Sequence, residues 1–478
     1  MTLDRNPTEP RLSTLRMVPF AAPNIAVGAL GVIVFVSLPP YFSGHLGVPM
    51  TVVGLVWMLV RLLDVPVDVF LALGMDRTRT PIGRYRPWLI AGAPILMAAL
   101  YKLFMAPRGF TGIYLFVWLA AMYLGNSIVS LAHQAWAASL TRHYHERSRI
   151  FGVINAVGVA GVIAAMAVLI GAPAFHFTDA QAVQDAGWLI ILAVPLGVAV
   201  AALTTPERLA PDAAKARAPL KDYLEILAKP DLLRLFLVSI ALTLGPGWMS
   251  AIYLFFFEIS RGFSGQQAYI LLAVYILAGI PGAFLTAALA RRIGKHRTLM
   301  VTTTAFSLAL FTIFIVPKGD MALYLPMMFF EGIMASGFGM MIQAMLADVG
   351  DEIRLHQGRQ RMSLVFAVNT LAAKIAAAGA IGLTFPLLQA LGFDPREGAV
   401  NTPAAIHNLD MAFLIGPIAF VMAGGACVIG WRLDAARHGE IRAALEARDA
   451  QEEAAAIAAA TLARPPMDPE VIAPQPAP

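Results

Sequence analysis

Apolar runs long enough to cross a bilayer recur along almost the whole chain. They lie near 18–40, 50–74, 88–105, 112–139, 150–171 and 187–204, and resume near 233–257, 267–289, 299–317, 322–347, 363–391 and 410–431. A spanning helix needs roughly 20 apolar residues, so the pattern predicts twelve transmembrane helices and an all-α polytopic membrane protein. The stretch 205–232 breaks the pattern with Pro206, Pro211, Pro219 and Pro230 among several Lys and Arg, and reads as a linker between two halves. The expected organisation is a tail 1–17, a six-helix half 18–204, the linker 205–232, a second six-helix half 233–432 and a tail 433–478.

Polar positions then orient the spans. Loops 75–87, 140–149, 205–232, 290–298 and 348–362 are rich in Arg and Lys, and the loops between them are poor in both. Excess positive charge marks the cytoplasmic side. Every second loop is basic, so both termini are expected in the cytoplasm of an inner-membrane protein. The tail agrees, with Arg432, Arg437, Arg442 and Arg448 on an expected amphipathic helix before a Pro-rich segment from Arg464. No cleavable signal is expected ahead of the first span.

Composition supports this class. The chain has 478 residues, 58% hydrophobic and only 14% charged, far more apolar than a soluble domain requires. The net charge of +5 is accounted for by the basic loops without a nucleic-acid partner. A single cysteine, Cys427, rules out an intramolecular disulfide. No HExxH, GxSxG, P-loop or CxxC pattern is present, so neither an enzyme nor an ATP-driven pump is indicated.

The two halves share features at a common offset. Ile82-Gly83-Arg84-Tyr85-Arg86 after span two is matched by Ile293-Gly294-Lys295-His296-Arg297 after span eight. Arg147-Ser148-Arg149 after span four is matched by Arg359-Gln360-Arg361 after span ten. A duplicated six-helix unit follows, which is the plan of the major facilitator fold.

The stretch Arg61–Trp88 carries the most informative chemistry. Arg61, Asp64 and Asp68 interrupt an apolar span, and Asp64 and Asp68 stand one turn apart on one helix face. Ionisable groups are costly in hydrocarbon, so two acids on one face point to a cation or proton site. The basic loop that follows holds Arg77, Arg79, Arg84 and Arg86, and closes with Pro87-Trp88.

This stretch resembles the signature of the glycoside–pentoside–hexuronide:cation symporters, the melibiose-carrier family. Their R-x-x-D-x-x-x-D in helix two is matched by Arg61, Asp64 and Asp68. Their D-x-T-R-[ST]-x-x-G-[KR]-[FY]-[KR]-P-W is matched by Asp76, Thr78, Arg79, Gly83, Arg84, Tyr85, Arg86, Pro87 and Trp88. Leu140-Thr141 with Glu146-Arg147, Leu346-Ala347-Asp348 with Asp351, and Lys374 extend the resemblance across nearly the whole chain.

The resemblance implies a coupling cation, Na⁺ or H⁺, at Asp64 and Asp68, with Ser130 or its neighbour Val129 at the position of a family hydroxyl. It implies Lys374 facing the same cavity; the other reading of Lys374 is a permanent salt bridge. Arg61 suits either a gate or the solute. Asp76, Arg79, Gly83, Arg84, Arg147, Asp348 and Asp351 would form breakable gating networks, with Gly83 and Gly294 permitting tight turns.

The galactoside end of the family pattern is largely missing. The family acid early in helix one falls at Asn24, the second sugar-binding acid at Ala132, an arginine of helix five at Ile154 and a loop acid at Met362. In span four, His133 and Trp136 share a face and could meet the solute, or else pack between helices. Glu258 and Arg261 read as a solvated pair, and Tyr253 and Trp248 as cavity wall or interfacial belt.

The expected protein is a monomeric secondary transporter in contact with membrane lipids. It would need no cofactor beyond its coupling ion, H⁺ being slightly favoured, and would carry a small polar solute, a sugar or glycoside. Two alternatives are a carrier of amphiphilic solutes on the same fold and a membrane receptor or scaffold that does not transport.

Overall fold

A computed structural model describes residues 14–140, 144–207, 229–357 and 362–462. Within them the chain is helical throughout, apart from short turns and an isolated bridge between Thr80 and Gly83. The first half contains α1 (Met17–His45), α2 (Met50–Arg77), α3 (Arg86–Phe104), α4 (Gly112–Ser139), α5 (Tyr144–Gly171) and α6 (Asp179–Thr204). The second contains α7 (Pro230–Ser260), α8 (Gly265–Ile293), α9 (Lys295–Thr312), α10 (Met321–Gln357), α11 (Met362–Ala390) and α12 (Pro403–Cys427). A last helix, α13 (Ala435–Leu462), follows them.

Eleven of these helices are long and apolar enough to cross a membrane. The twelfth, α9, is the shortest at 18 residues, and buried Thr298, Thr302 and Thr303 lower its hydropathy. Their hydroxyls bond carbonyls of their own helix, as with Thr298 to Gly294 at 2.8 Å. Span nine was expected at 299–317 and span twelve at 410–431. Both helices begin earlier, because Gly294 and Thr402 start the helical backbone ahead of the apolar run.

Helix starts follow the local sequence. Thr178 and Ser264 each cap a helix reciprocally with the Gln three residues on, at α6 and α8. Pro230 and Pro403 occupy first-turn positions, where a missing N–H costs little. π-helical turns widen α1 at Ile33–Ser37 and Tyr41–His45, and α7 at Phe255–Ser260. Tyr41–His45 and Phe255–Ser260 occupy equivalent places in the two halves, at the end remote from the basic loops.

At that far end the halves hold one another. Glu397 donates its N–H to the Gly44 carbonyl at 3.2 Å and pairs with His45 at 2.9 Å. Tyr269 donates to Ser37 at 3.0 Å, and Gln266 to the Ile170 carbonyl at 2.8 Å. α2 and α11 run antiparallel against each other, from Thr51 beside Gln389 through Gly54 beside Phe385 and Met58 beside Gly382. Beyond Lys374, Phe70 of α2 and Thr370 of α11 are exposed. At the basic end, polar ties among the described residues stay within one half.

Candidate functional site

The deepest link between the halves is ionic. Lys374 of α11 reaches across to α2, where its Nζ donates to Asp64 Oδ2 at 2.6 Å and also to Asp68 Oδ2. Arg61, one turn before Asp64, lies 3.5 Å from the same oxygen. The Arg61 guanidinium is held over the Tyr123 ring at 4.7 Å and near Phe35 at 5.7 Å, where aromatic faces favour a cation. Two carboxylates, one ammonium and one guanidinium balance in formal charge. Such balance is what lets four ionised groups reside in a bilayer interior.

Local sequence sets this geometry. The i, i+4 spacing puts both acids on one face of α2, and Pro66 between them removes the N–H that would bond the Leu62 carbonyl. Asp64 is buried and accepts a third hydrogen bond from Ser127 Oγ at 2.9 Å. Asp68 Oδ1 is buried with no partner among the described residues. The pair is therefore unequal: Asp64 is saturated, and Asp68 keeps one oxygen open.

Several expected residues stand elsewhere. Ser130 was expected near the paired acids, but its hydroxyl is buried without a partner among the described residues, and the serine that reaches Asp64 is Ser127. The two serines are three residues apart on one side of α4, so only the rotation of α4 against α2 decides between them. His133 bonds the Phe20 carbonyl at 2.8 Å and Trp136 packs edge-on against Phe20. Both are almost fully buried and join α4 to α1 rather than facing a cavity. Trp136 also lies under the Arg86 guanidinium, at 5.4 Å. Asn24 donates to the Ile154 carbonyl at 3.3 Å, linking α1 to α5. Buried Arg261 pairs with Asp410 at 3.8 Å and lies on Phe256 and Phe314, so it is no solvated partner of Glu258. Trp248 and Tyr253 donate to the Ala412 and Ala268 carbonyls and form internal packing.

The basic loop after α2 is a built structure. Arg84 bonds the Met75 and Asp76 carbonyls and pairs with Asp76 Oδ1 at 2.7 Å. Arg79 is exposed at the turn. Gly83 has φ +125°, and a side chain there would meet Glu207 at 2.0 Å. Glu207 accepts the backbone N–H groups of Arg84, Tyr85 and Arg86 at 2.7, 2.8 and 3.2 Å. This carboxylate clamps the positive end of α3. Within a stretch read as linker, Glu207 gave no sign of this role.

The second half does the equivalent job with other groups. Lys295 grips both oxygens of Asp348 at 2.7 Å. His438 of α13 lies 3.3 Å from Asp348 and 3.1 Å from Asp351, and Arg354 pairs with Asp449. Ile441 and Leu445, on one face of α13, are buried. The Arg147 side chain lies outside the described residues, as do 208–228 and the Pro-rich tail from 464.

Residues 19–435 match the family described as MFS/sugar transport protein. The chain belongs to that family. It is therefore a transporter rather than an enzyme, and the resemblance to glycoside–pentoside–hexuronide:cation symporters holds at family level. It is 23% identical to the isoprimeverose transporter of Lactiplantibacillus pentosus over 434 residues, 87% of this chain and 88% of that one. Over 171 residues, 35% of this chain and 36% of the other, it is 25% identical to a glucuronide carrier protein homolog of Escherichia coli (strain K12). The nucleoside transporter NupG superposes with a TM-score of 0.64 at 13% identity, over 88% of this chain and 100% of NupG. That likeness shows the major facilitator fold.

Proposed function

We propose that the protein is a proton-coupled carrier of small glycosides or pentose-containing sugars, working by alternating access. The cross-half bridge of Lys374 to Asp64 and Asp68 carries this reading. The ammonium occupies the slot between the carboxylates, where a coupling ion must compete with it. Protonation of Asp68, the acid with an open oxygen, weakens the grip of Lys374 and loosens α11 from α2. A metal ion is favoured less, because hard cations take several oxygen ligands and the ammonium already fills the space. The names of the relatives supply the solute class.

The basic loops lie in the cytoplasm by the positive-inside rule. Polar contacts join the halves at the far end and, among the described residues, none does so at the basic end, which supports a conformation open to the cytoplasm. Gly83, Glu207, Arg84 and Asp76 in one half, and Lys295, Asp348, Asp351 and α13 in the other, form the surfaces that approach each other when that side closes.

Uptake into proteoliposomes tests the proposal, using isoprimeverose, glucuronides, pentoses and hexoses under an imposed pH or Na⁺ gradient. Wild type is expected to accumulate one of these classes under the pH gradient. Asp68→Asn is expected to lose accumulation while keeping solute exchange across the membrane. Uptake that ignores both gradients and survives Asp68→Asn would overturn the reading, and uptake driven by Na⁺ alone would replace the proton with Na⁺.

A further inference from the structure

The loop between α11 and α12, residues 391–402, is a built strap of the second half that reaches the first. At its base Phe393 is buried, its ring 5.4 Å from that of Phe255 in α7. The Asp394 N–H donates to Asn401 Oδ1, and the Asn401 amide donates back to the Asp394 carbonyl, both at 2.8 Å. Arg396 folds onto the Asp394 carboxylate at 2.6 Å. Gly392 and Gly398 supply the two bends, with φ of +81° and +79°. These ties are internal, so the strap travels with α11 and α12.

Its tip lies on the end of α1. Glu397 donates its N–H to the Gly44 carbonyl at 3.2 Å, and its Oε1 lies 2.9 Å from His45 Nδ1. The Pro395 carbonyl also crowds Gly44, where a side chain would meet it at 3.1 Å. His45 stacks on Tyr41, with ring centroids 5.4 Å apart and planes 21° apart. The Tyr41 hydroxyl is tied to the Phe104 carbonyl and the Gln184 amide. The imidazole therefore has a fixed seat in the first half, and its partner rides on the second.

The His45 side chain is 22% exposed and lines a cavity that opens to the surface. Protons reach it from the medium without a relay. The charged groups sharing that cavity are Glu397 and Arg396 of the strap, Asp179 of α6 and Glu258 of α7, with Tyr41 and Tyr269 as hydroxyl neighbours. On the Tyr41 side the charge within reach is Arg108, in the loop after α3.

We propose that His45 and Glu397 form a pH-operated latch on the far end. Facing a carboxylate, Nδ1 carries its hydrogen in both charge states, so the proton exchanged with water is the one on Nε2. With that proton the contact is an imidazolium–carboxylate pair. Without it an ordinary hydrogen bond remains, roughly half as strong. Histidine ordinarily titrates between about pH 5 and 8. The charge contribution to closure is thus complete below that range and is lost as pH rises through it. Acid on the far side holds the strap on α1; loss of the proton lets the strap lift away with the second half. The latch sets the balance between conformations separately from the coupling pair. Far-end opening itself rests on the alternating-access reading above.

The test needs no solute. Ile113 and Ile315 are exposed far-end positions in the first and second halves. Ile113→Cys and Ile315→Cys, in a Cys427→Ser background, are spin-labelled in lipid nanodiscs. Pulsed electron paramagnetic resonance then gives the ratio of far-end-open to closed distances from about pH 5 to pH 8. In this parent the ratio is expected to rise with pH by at most about fivefold, as befits a partly exposed pair. His45→Gln is expected to remove most of that rise while leaving Glu258 and Asp179 in place, and Glu397→Gln to do the same. His45→Lys, charged throughout, is expected to stay at the acidic value of the parent.

A parent ratio that ignores pH would overturn the proposal, as would equal pH dependence in the parent and His45→Gln. So would a His45→Lys variant that follows pH as the parent does. Failure of glycoside uptake would defeat the transport reading and leave this measurement standing.

Discussion

At the far end the halves hold each other, through Glu397 to Gly44 and His45, Tyr269 to Ser37 and Thr51 to Gln389. At the basic end each half holds itself, through Arg84 to Asp76, Glu207 to the start of α3, Lys295 to Asp348 and α13 to α10. The difference teaches where motion is stored. Contacts that cross between the halves must break when the protein turns over, whereas contacts within a half can survive as rigid parts. Lys374 stands at the boundary between the two regimes, so charge changes there act on the seam itself.

The largest effect is expected from removing that boundary. Lys374→Ala leaves two carboxylates without their ammonium, and breaking a buried ion pair costs about 3–5 kcal/mol. Its thermal transition in detergent should fall well below wild type, and Lys374→Ala with Asp68→Asn should recover part of the loss. An unchanged transition in the single variant would mean that the bridge does not hold the halves.

At the basic end, Gly83→Leu forces a side chain into a φ of +125° and against Glu207, a strain of about 1–3 kcal/mol. Transport should slow while solute binding, measured by calorimetry, persists. Uptake at the wild-type rate would show that the loop is not rearranged in turnover.

At the far end, Glu397→Gln weakens a pair in which Glu397 is 64% exposed. Exposed pairs contribute roughly 0–1 kcal/mol, so maleimide labelling of a cysteine placed at Val183, in the far-end cavity beside this pair, should rise by about fivefold at most. No rise would assign the closure to the backbone bond and to Tyr269–Ser37.

The smallest effect concerns the loop beside that pair. Hydrogen bonds from Arg396 hold the Asp394 carboxyl below the usual carboxylate range. Its contribution to loop order is complete above the ordinary Asp range and is lost as pH falls through the depressed value. Protease cleavage between Asp394 and Asn401 should therefore increase only in strong acid. An increase already at neutral pH would remove Asp394 from the closure.

The acids of α2 were legible because their spacing alone puts them on one face, and Lys374 because a charge in an apolar run demands a partner. His133 and Trp136 were misplaced by the same kind of argument. Their shared face was evident, but which neighbour it meets depends on how α4 is rotated, and it meets Phe20 of α1. Ser127 and Ser130 were indistinguishable for that reason. Glu207 was hidden because its partners, the N–H groups of residues 84–86, are more than a hundred positions away and belong to the backbone.

By itself the sequence determined the spans, the basic and non-basic loops, the family and the two acids on one turn, since these depend on local hydropathy, charge and helical period. Only the tertiary structure decided that Lys374 bridges both acids, that Ser127 rather than Ser130 completes Asp64, and that the Glu331 carboxyl is buried without a partner among the described residues. Each of these depends on the rotation and depth of one helix against another, which packing sets and no single helix encodes.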